Sequence, residues 1–122
     1  MLLQKEDADV KVIIKAYKPG CISLNIGEFK QSILLINGEK KEFNAAENFE
    51  RLSFEHLTEY LKDKPEILII GTGEKHQMLS PAMTQKINNL GIAVEAMASR
   101  QACHTYQVLA YEQRTVHALI FA

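Results

Sequence analysis

The sequence contains no tryptophan, only two cysteines and no long run of apolar residues. Cys21 and Cys103 lie far apart and form no CxxC spacing, so neither a disulfide framework nor a structural zinc site is indicated. The longest apolar runs, such as residues 33–36 and 67–70, are far shorter than the roughly 20 residues that cross a bilayer. We therefore expect reduced thiols and no transmembrane segment.

The sequence also has no large excess of positive or of negative charge. Fourteen basic and fifteen acidic side chains give a formal net charge of -1. This balance provides no long-range attraction for a phosphate backbone, so nucleic acid is not expected as a partner. The N-terminus has no secretory apolar core, and Glu6 and Asp7 argue against a mitochondrial presequence. These features predict a cytoplasmic protein.

The length of 122 residues matches one domain, because a second hydrophobic core would be too small to be stable alone. Hydrophobic residues make up 47% and charged residues 24%, which is typical of a globular protein rather than of a disordered one. We therefore expect a single domain that spans residues 1–122, with no internal boundary.

The N-terminal third has the pattern of two β-hairpins. Residues 12–17 and 22–26 are β-rich and flank Lys18-Pro19-Gly20-Cys21, a turn sequence, while residues 27–28 lead onward. Residues 32–36 and 40–44 flank Asn37-Gly38, the dipeptide best suited to a two-residue hairpin turn. The apolar run 33–36 predicts a strand covered on both faces, and the charged return strand predicts a sheet edge near residue 43.

The centre of the chain has the pattern of a helix followed by a βαβ unit. Ser53 can cap a helix over residues 54–62 that ends before Pro65. A strand at 67–70, a helix that begins at Ser80-Pro81 and ends at Gly91, and a core strand at 92–97 follow. Such a short crossover favours parallel, right-handed pairing of the two strands.

The last helix is predicted from Ser99, as its cap, to Tyr111, and a final strand covers residues 115–121. One face of this helix carries a core stripe that includes Cys103 and Tyr106. The opposite face carries His104, Val108 and Tyr111. A helix with apolar groups on both sides is either covered twice or joins an interface, so these three residues are our candidates for a contact surface and for a homo-oligomer.

Two loops are predicted to meet where the parallel strands end. Gly71, Thr72 and Gly73 follow one strand, and Ser99 and Arg100 follow the next, so a shallow crevice for a small anion or ligand is one hypothesis. The alternative is a structural turn beside an ordinary capped helix. A dinucleotide fingerprint is disfavoured, because its third glycine position is occupied by His76.

Catalytic and metal-binding patterns are weak. Cys103 and His104 lie about 100° apart around a helix, so their side chains do not face each other. Glu95 falls in a strand expected to be covered, where it is either a hydrogen-bonded carboxylate or a general base of raised pKa. We therefore predict no catalytic residue, no metal and no cofactor, and we favour a non-catalytic protein over an enzyme.

The series ILIIGTG, SPAMTQKINNLGIAVEAM, SRQACHTYQVL and TVHALIF resembles a family of small domains of unknown function. That family includes a mitochondrial assembly factor for respiratory complex one and an adipogenesis-associated cytosolic protein. The resemblance runs from about Ile33 to the C-terminus. It implies a three-layer α/β fold, in which a mixed central sheet has helices on its faces and an additional β-hairpin layer, and it implies no established reaction or cofactor.

The sequence departs from the family pattern at Gln107, where asparagine is common, and at Gln113, where glycine is common. Residues and resemblance together predict a binding or assembly-factor-like protein that acts through protein partners. The alternative is a small-anion or small-ligand-binding enzyme domain that uses the crevice at Gly71–Gly73 and Ser99–Arg100.

Overall fold

A computed structural model describes residues 11–122 as two β-sheets and three α-helices. The smaller sheet is antiparallel, and its strands follow in chain order: β1 (Ile14–Lys18), β2 (Cys21–Leu24) and β3 (Gly27–Phe29). The strands of the larger sheet are β4 (Ile33–Ile36), β5 (Glu39–Lys41), β6 (Ile67–Gly71), β7 (Ala93–Met97) and β8 (Val116–Ile120). Their spatial order is β5-β4-β8-β6-β7.

The helices are α1 (Phe54–Leu57), α2 (Pro81–Asn88) and α3 (Ser99–Tyr111), and short 3-10 turns occupy Phe49–Arg51 and Thr58–Leu61. None of the helices in residues 11–122 combines the length and the apolar character that crossing a bilayer requires.

The larger sheet is mixed. Strand β6 pairs in parallel with both β7 and β8, whereas β4 pairs antiparallel with β5 and β8. The parallel pairing of the two strands that flank α2 confirms the prediction from the short crossover. At the end of β6, Gly71 lies opposite Met97 on one side and Ile120 on the other.

Alternating side chains of the central strands supply two cores, one on each face of the larger sheet. Ile33, Ile69 and Ile120 pack with α3 and the smaller sheet, while Leu34 and Leu68 pack with the helices of the opposite face. Burial of each such side chain contributes about 1.5 to 3 kcal/mol. The result is the three-layer α/β arrangement expected from the sequence, with the smaller sheet and α3 forming one outer layer.

Three elements differ from the sequence prediction. The helix predicted at 54–62 is one α-helical turn, α1, which continues as a 3-10 turn. The segment at Gly27 is not a simple connection, because it forms β3 and pairs with β2. Helix α3 has Ala98 as its N-cap, and Ser99 is its first helical residue rather than its cap.

Strand β7 lies at the edge of the sheet and not in its middle, so Glu95 is exposed rather than covered. The prediction failed because the pattern of a βαβ unit does not determine on which side of it the last strand inserts. Here β8 inserts between β4 and β6, so that within residues 11–122 no strand pairs with the outer side of β7.

A buried histidine is hydrogen-bonded at the opposite end of β8 from Gly71. His117 is fully buried, and its Nε2 lies 3.1 Å from Oδ1 of Asp63. Its Nδ1 has no hydrogen-bond partner within residues 11–122. The hydrogen bond from His117 lowers the pKa of the Asp63 carboxyl below its usual value, and a bond from Asn37 acts in the same direction.

We expect that in Asp63→Asn the free energy of unfolding falls less steeply than in the wild type as the pH is lowered from 7 to 3. The pKa of Asp63 is lower in the folded state than in the unfolded state, so its contribution is present above about pH 4 and is lost as the pH falls. Because 52% of the Asp63 side chain is exposed, the loss at neutral pH should stay below about 1 kcal/mol. Urea unfolding from pH 7 to pH 3 measures this. Equal slopes for the wild type, Asp63→Asn and the exposed control Glu47→Gln would contradict it.

Candidate functional site

The ends of β6 and β7 bring the predicted loop residues together. The Ser99 amide donates to the Gly73 carbonyl at 2.8 Å, and the Gly73 amide donates to the Ser99 hydroxyl at 2.8 Å. The same hydroxyl donates to the carbonyl of Phe121, which follows β8. Thr72 and Ser99 therefore lie at the same end of the sheet, as parallel pairing requires.

Thr72 organises the loop that follows. Its side-chain hydroxyl donates to the Lys75 carbonyl at 2.7 Å and accepts from the Gln77 amide at 3.1 Å, and its backbone amide donates to the Met97 carbonyl at 2.8 Å. Thr72 is buried. The polar groups of this junction are thus paired with one another, an arrangement that fits the structural-turn interpretation.

Gly71 allows three elements to pack closely at this junction. A Cβ atom on Gly71 would lie 2.8 Å from the Ile120 side chain, 2.8 Å from the Ser99 hydroxyl and 3.1 Å from the Ala102 side chain. Gly73 is required for a different reason: its φ of 107° is rarely adopted by residues with a side chain. Both glycines thus have a structural explanation.

Arg100 connects α3 to the smaller sheet. Its Nη1 donates to the Tyr17 carbonyl at 3.2 Å, and its guanidinium carbon lies 5.4 Å from the centroid of the Tyr17 ring. Gln107, one of the departures from the family pattern, also reaches this sheet, where its side-chain oxygen accepts from the Ile14 amide at 3.0 Å. These two side chains fix the position of β1 against α3.

A groove of about 230 Å³ lies between β1 and α3 and includes Cys103 in its lining. Burial raises the pKa of the Cys103 thiol to about 11, although nearby Arg100 acts in the opposite direction. The thiol is therefore protonated at neutral pH, where a nucleophilic thiolate would be needed for catalysis. Burial also raises the pKa of the Tyr17 hydroxyl, and the negative charge of Glu74 raises it further.

The outer face of α3 carries the three predicted interface residues. His104, Val108 and Tyr111 are all exposed, with 44% of Val108 and 90% of Tyr111 accessible to solvent. The opposite face is buried in the core through Cys103 and Tyr106. We call His104, Val108 and Tyr111 the α3 face. In the part of the chain that the structure describes, no cluster of three histidine, cysteine or acidic side chains is arranged to hold a metal ion.

A cavity of about 640 Å³, which the sequence does not predict, lies at the C-terminal end of α3, and we call it the α3 C-terminal cavity. It is formed where the start of β1, the turn between β4 and β5, and the start of β8 meet. The lining residues are Lys11, Val12, Asn37, Gly38, Tyr106, Ala110, Tyr111, Gln113, Arg114, Thr115 and Val116. The local sequence signals here were the Asn37-Gly38 turn and the unusual Gln113, but neither indicates a cavity by itself.

The fold defines a class of small α/β proteins in which helices cover one face of a mixed sheet, and a helix with a small antiparallel sheet covers the other. The family described as "Protein of unknown function (DUF498/DUF598)" matches residues 14–121, and the chain belongs to this family.

Two relatives and one solved structure illustrate the similarity. The "13 kDa major membrane protein" of Francisella tularensis is 37% identical over 122 residues, which cover 98% of each chain. The "NADH dehydrogenase (ubiquinone) 1 alpha subcomplex assembly factor 3" of Xenopus tropicalis is 38% identical over 74 residues, which are 60% of this chain and 39% of the frog protein. An NMR structure of a Xanthomonas campestris protein has a TM-score of 0.84 at 29% identity and covers 98% of this chain and 91% of that chain.

The family expected from the sequence is thereby confirmed, as is its relation to a complex one assembly factor.

Proposed function

We propose that this protein is a non-catalytic, assembly-factor-like domain that binds protein partners through the α3 face. The observation that carries this proposal is the exposure of Val108 and Tyr111 on a helix whose other side is fully packed. The similarity to an assembly factor supports the same class of function. Aromatic side chains at the centre of a contact often supply much of its binding energy.

The side chains of the α3 face suit a contact of moderate polarity. Tyr111 offers a large ring and a hydroxyl, Val108 adds an aliphatic surface, and His104 provides ring nitrogens that can form hydrogen bonds. With a net charge of -1 the chain has little electrostatic steering, so apolar contact would dominate binding.

The states of the Cys103 thiol and of the Ser99 hydroxyl support a non-catalytic role. The thiol of Cys103 is protonated at neutral pH because burial raises its pKa. The hydroxyl of Ser99 is engaged by Gly73 and Phe121, so it is held within the fold. We propose further that the protein works in the cytoplasm and that any membrane association, as in the name of the Francisella relative, is made through a protein partner.

The double substitution Val108→Glu and Tyr111→Glu tests the α3 face. We expect wild-type protein at tens of micromolar to self-associate and to have about twice the mass of the 13.8 kDa chain, because C2 dimers are the commonest oligomers. The double variant should have the mass of one chain, since two buried carboxylates would lack partners. Size-exclusion chromatography with light scattering measures both.

Gln85→Glu with Asn88→Glu is the matched control, because it adds the same charge to exposed positions of α2. Tagged wild type and the α3-face variant should also be purified from native cells under identical conditions. Unchanged mass together with unchanged retention of co-purifying proteins would refute the proposed face. A loss of mass in the α2 control as well would show a general charge effect.

A further inference from the structure

The α3 C-terminal cavity is formed by three segments that are distant in sequence, and a backbone hydrogen bond joins two of them. The amide of Val12 donates to the carbonyl of Gly38 at 2.8 Å, which joins the start of β1 to the turn between β4 and β5. The third segment leaves α3 through Gln113 and Arg114. A volume of about 640 Å³ falls within the range of small-molecule sites in proteins, roughly 300 to 1,000 Å³.

The charges that line this cavity have one sign. Lys11 and Arg114 are cationic, and no aspartate or glutamate of residues 11–122 belongs to the lining. Arg114 contacts Glu66 at 3.8 Å, and about half of each side chain is exposed. Such a long, solvated ion pair is weak, so the guanidinium remains able to bind another carboxylate.

The rest of the lining combines apolar side chains with the polar side chains of Asn37, Gln113 and Thr115. Val12, Ala110 and Val116 supply aliphatic surface, and Tyr106 and Tyr111 supply aromatic rings. Tyr106 and Val116 are buried and give the cavity a fixed wall, whereas Tyr111 is exposed at its border. A ligand that fits this lining has an apolar part and a single anionic end.

Gln113 adds a polar group at an energetic cost. Its φ is 64°, a left-handed conformation in which glycine is strongly preferred. The conformation follows from the end of α3, because the amides of Gln113 and Arg114 donate to the carbonyls of Ala110 and Leu109. Strained residues with side chains are concentrated at functional sites, and Gln113 is a lining residue of the cavity, next to Arg114 in the chain.

We propose that the α3 C-terminal cavity binds an amphipathic carboxylate. Arg114 and Lys11 pair with the carboxylate, and the side-chain amide of Gln113 donates to it. The apolar part of the ligand packs against Val12 and Val116. The carboxylate belongs either to a free small organic acid or to an acidic side chain flanked by apolar residues in a peptide. This binding activity is distinct from docking through the α3 face, although Tyr111 borders both.

Octanoate and octanamide form a matched pair of probes, because they differ only in the charged end. In a titration followed by the backbone amide signals of ¹⁵N-labelled protein, octanoate should shift the signals of Val12, Gly38 and Gln113. Octanamide should bind about tenfold more weakly, as expected for the loss of a charge-assisted contact. Arg114→Gln should weaken octanoate by a similar factor. The control Arg51→Gln, which removes an exposed cation outside the lining, should not.

A second titration distinguishes the two sources of the carboxylate. A capped leucine-rich pentapeptide with a central glutamate is compared with the same peptide carrying glutamine. Tighter binding of the glutamate peptide than of octanoate assigns the cavity to a peptide, and the reverse assigns it to a small acid. The proposal is overturned if neither octanoate nor the glutamate peptide shifts the signals of the cavity residues. It is also overturned if octanamide binds as well as octanoate, or if Arg114→Gln leaves octanoate binding unchanged.

Val108→Glu separates this proposal from the proposed function. Val108 is on the α3 face but does not line the cavity, so the variant should bind octanoate like the wild type. Octanoate binding that depends on Arg114, together with a wild-type protein that does not self-associate, would support the cavity alone. Loss of self-association in Val108→Glu, together with a wild-type protein that does not bind octanoate, would support the α3 face alone.

Discussion

Replacing Gly71 by alanine should lower the free energy of unfolding by about 3 kcal/mol, the upper part of the range for an overpacked core. The added methyl group would lie 2.8 Å from both the Ile120 side chain and the Ser99 hydroxyl. Ile120, Ser99 and Ala102 are fully buried, so none of them can move away into solvent. Urea unfolding at neutral pH measures the loss.

Gly20→Ala is the control for this prediction. Gly20 has a φ of 82°, and no atom lies within 4 Å of the place that a Cβ would take, so alanine there introduces backbone strain without a clash. We expect a cost of about 1 to 2 kcal/mol from the left-handed conformation alone. If Gly71→Ala is no more destabilising than Gly20→Ala, the close packing at the end of β6 is not what selects glycine.

Ser99→Ala should also be strongly destabilising, by about 2 to 4 kcal/mol, because it leaves one buried and one part-buried backbone group without a partner. The Ser99 hydroxyl accepts from the Gly73 amide and donates to the Phe121 carbonyl, and Ser99 itself is fully buried. Thermal or urea unfolding gives the total loss. Hydrogen exchange at the Gly73 amide should be faster in the variant, since its acceptor is gone.

Ser80→Ala provides the comparison, because it is the same chemical change at a partly solvated helix cap. The Ser80 hydroxyl accepts from the Met83 amide at 3.1 Å, a contact that water can replace. Its loss should cost about 1 kcal/mol. Equal losses for the two serine variants, or unchanged exchange at Gly73, would contradict a buried structural role for Ser99.

The sequence predicted those parts of the fold that depend on neighbouring residues. The 3.6-residue period placed Cys103 in the core and Val108 on the surface, and both positions are confirmed. The short crossover predicted parallel pairing, which places Thr72 and Ser99 at one end of the sheet. These inferences needed no knowledge of how distant segments meet.

What the sequence did not predict depends on the position of β8. Its insertion beside β6 gives Ser99 an acceptor at Phe121 and moves β7 to the edge, where Glu95 is exposed. The sequence does not predict the α3 C-terminal cavity for a related reason. Lys11 and Arg114 are about 100 residues apart, and no local pattern indicates that they line the same cavity.

The two outermost strands of the larger sheet restrict the ways in which copies of this protein can join. Strand β5 consists of Glu39, Lys40 and Lys41, and β7 presents Glu95 at its midpoint. Charged side chains along exposed backbone hinder open-ended stacking of sheets into fibres. An isologous contact through the α3 face, in which the same surface of both copies meets, would instead close after one partner. Under the proposed function, self-association through the α3 face would therefore stop at a dimer and would not continue into a fibre.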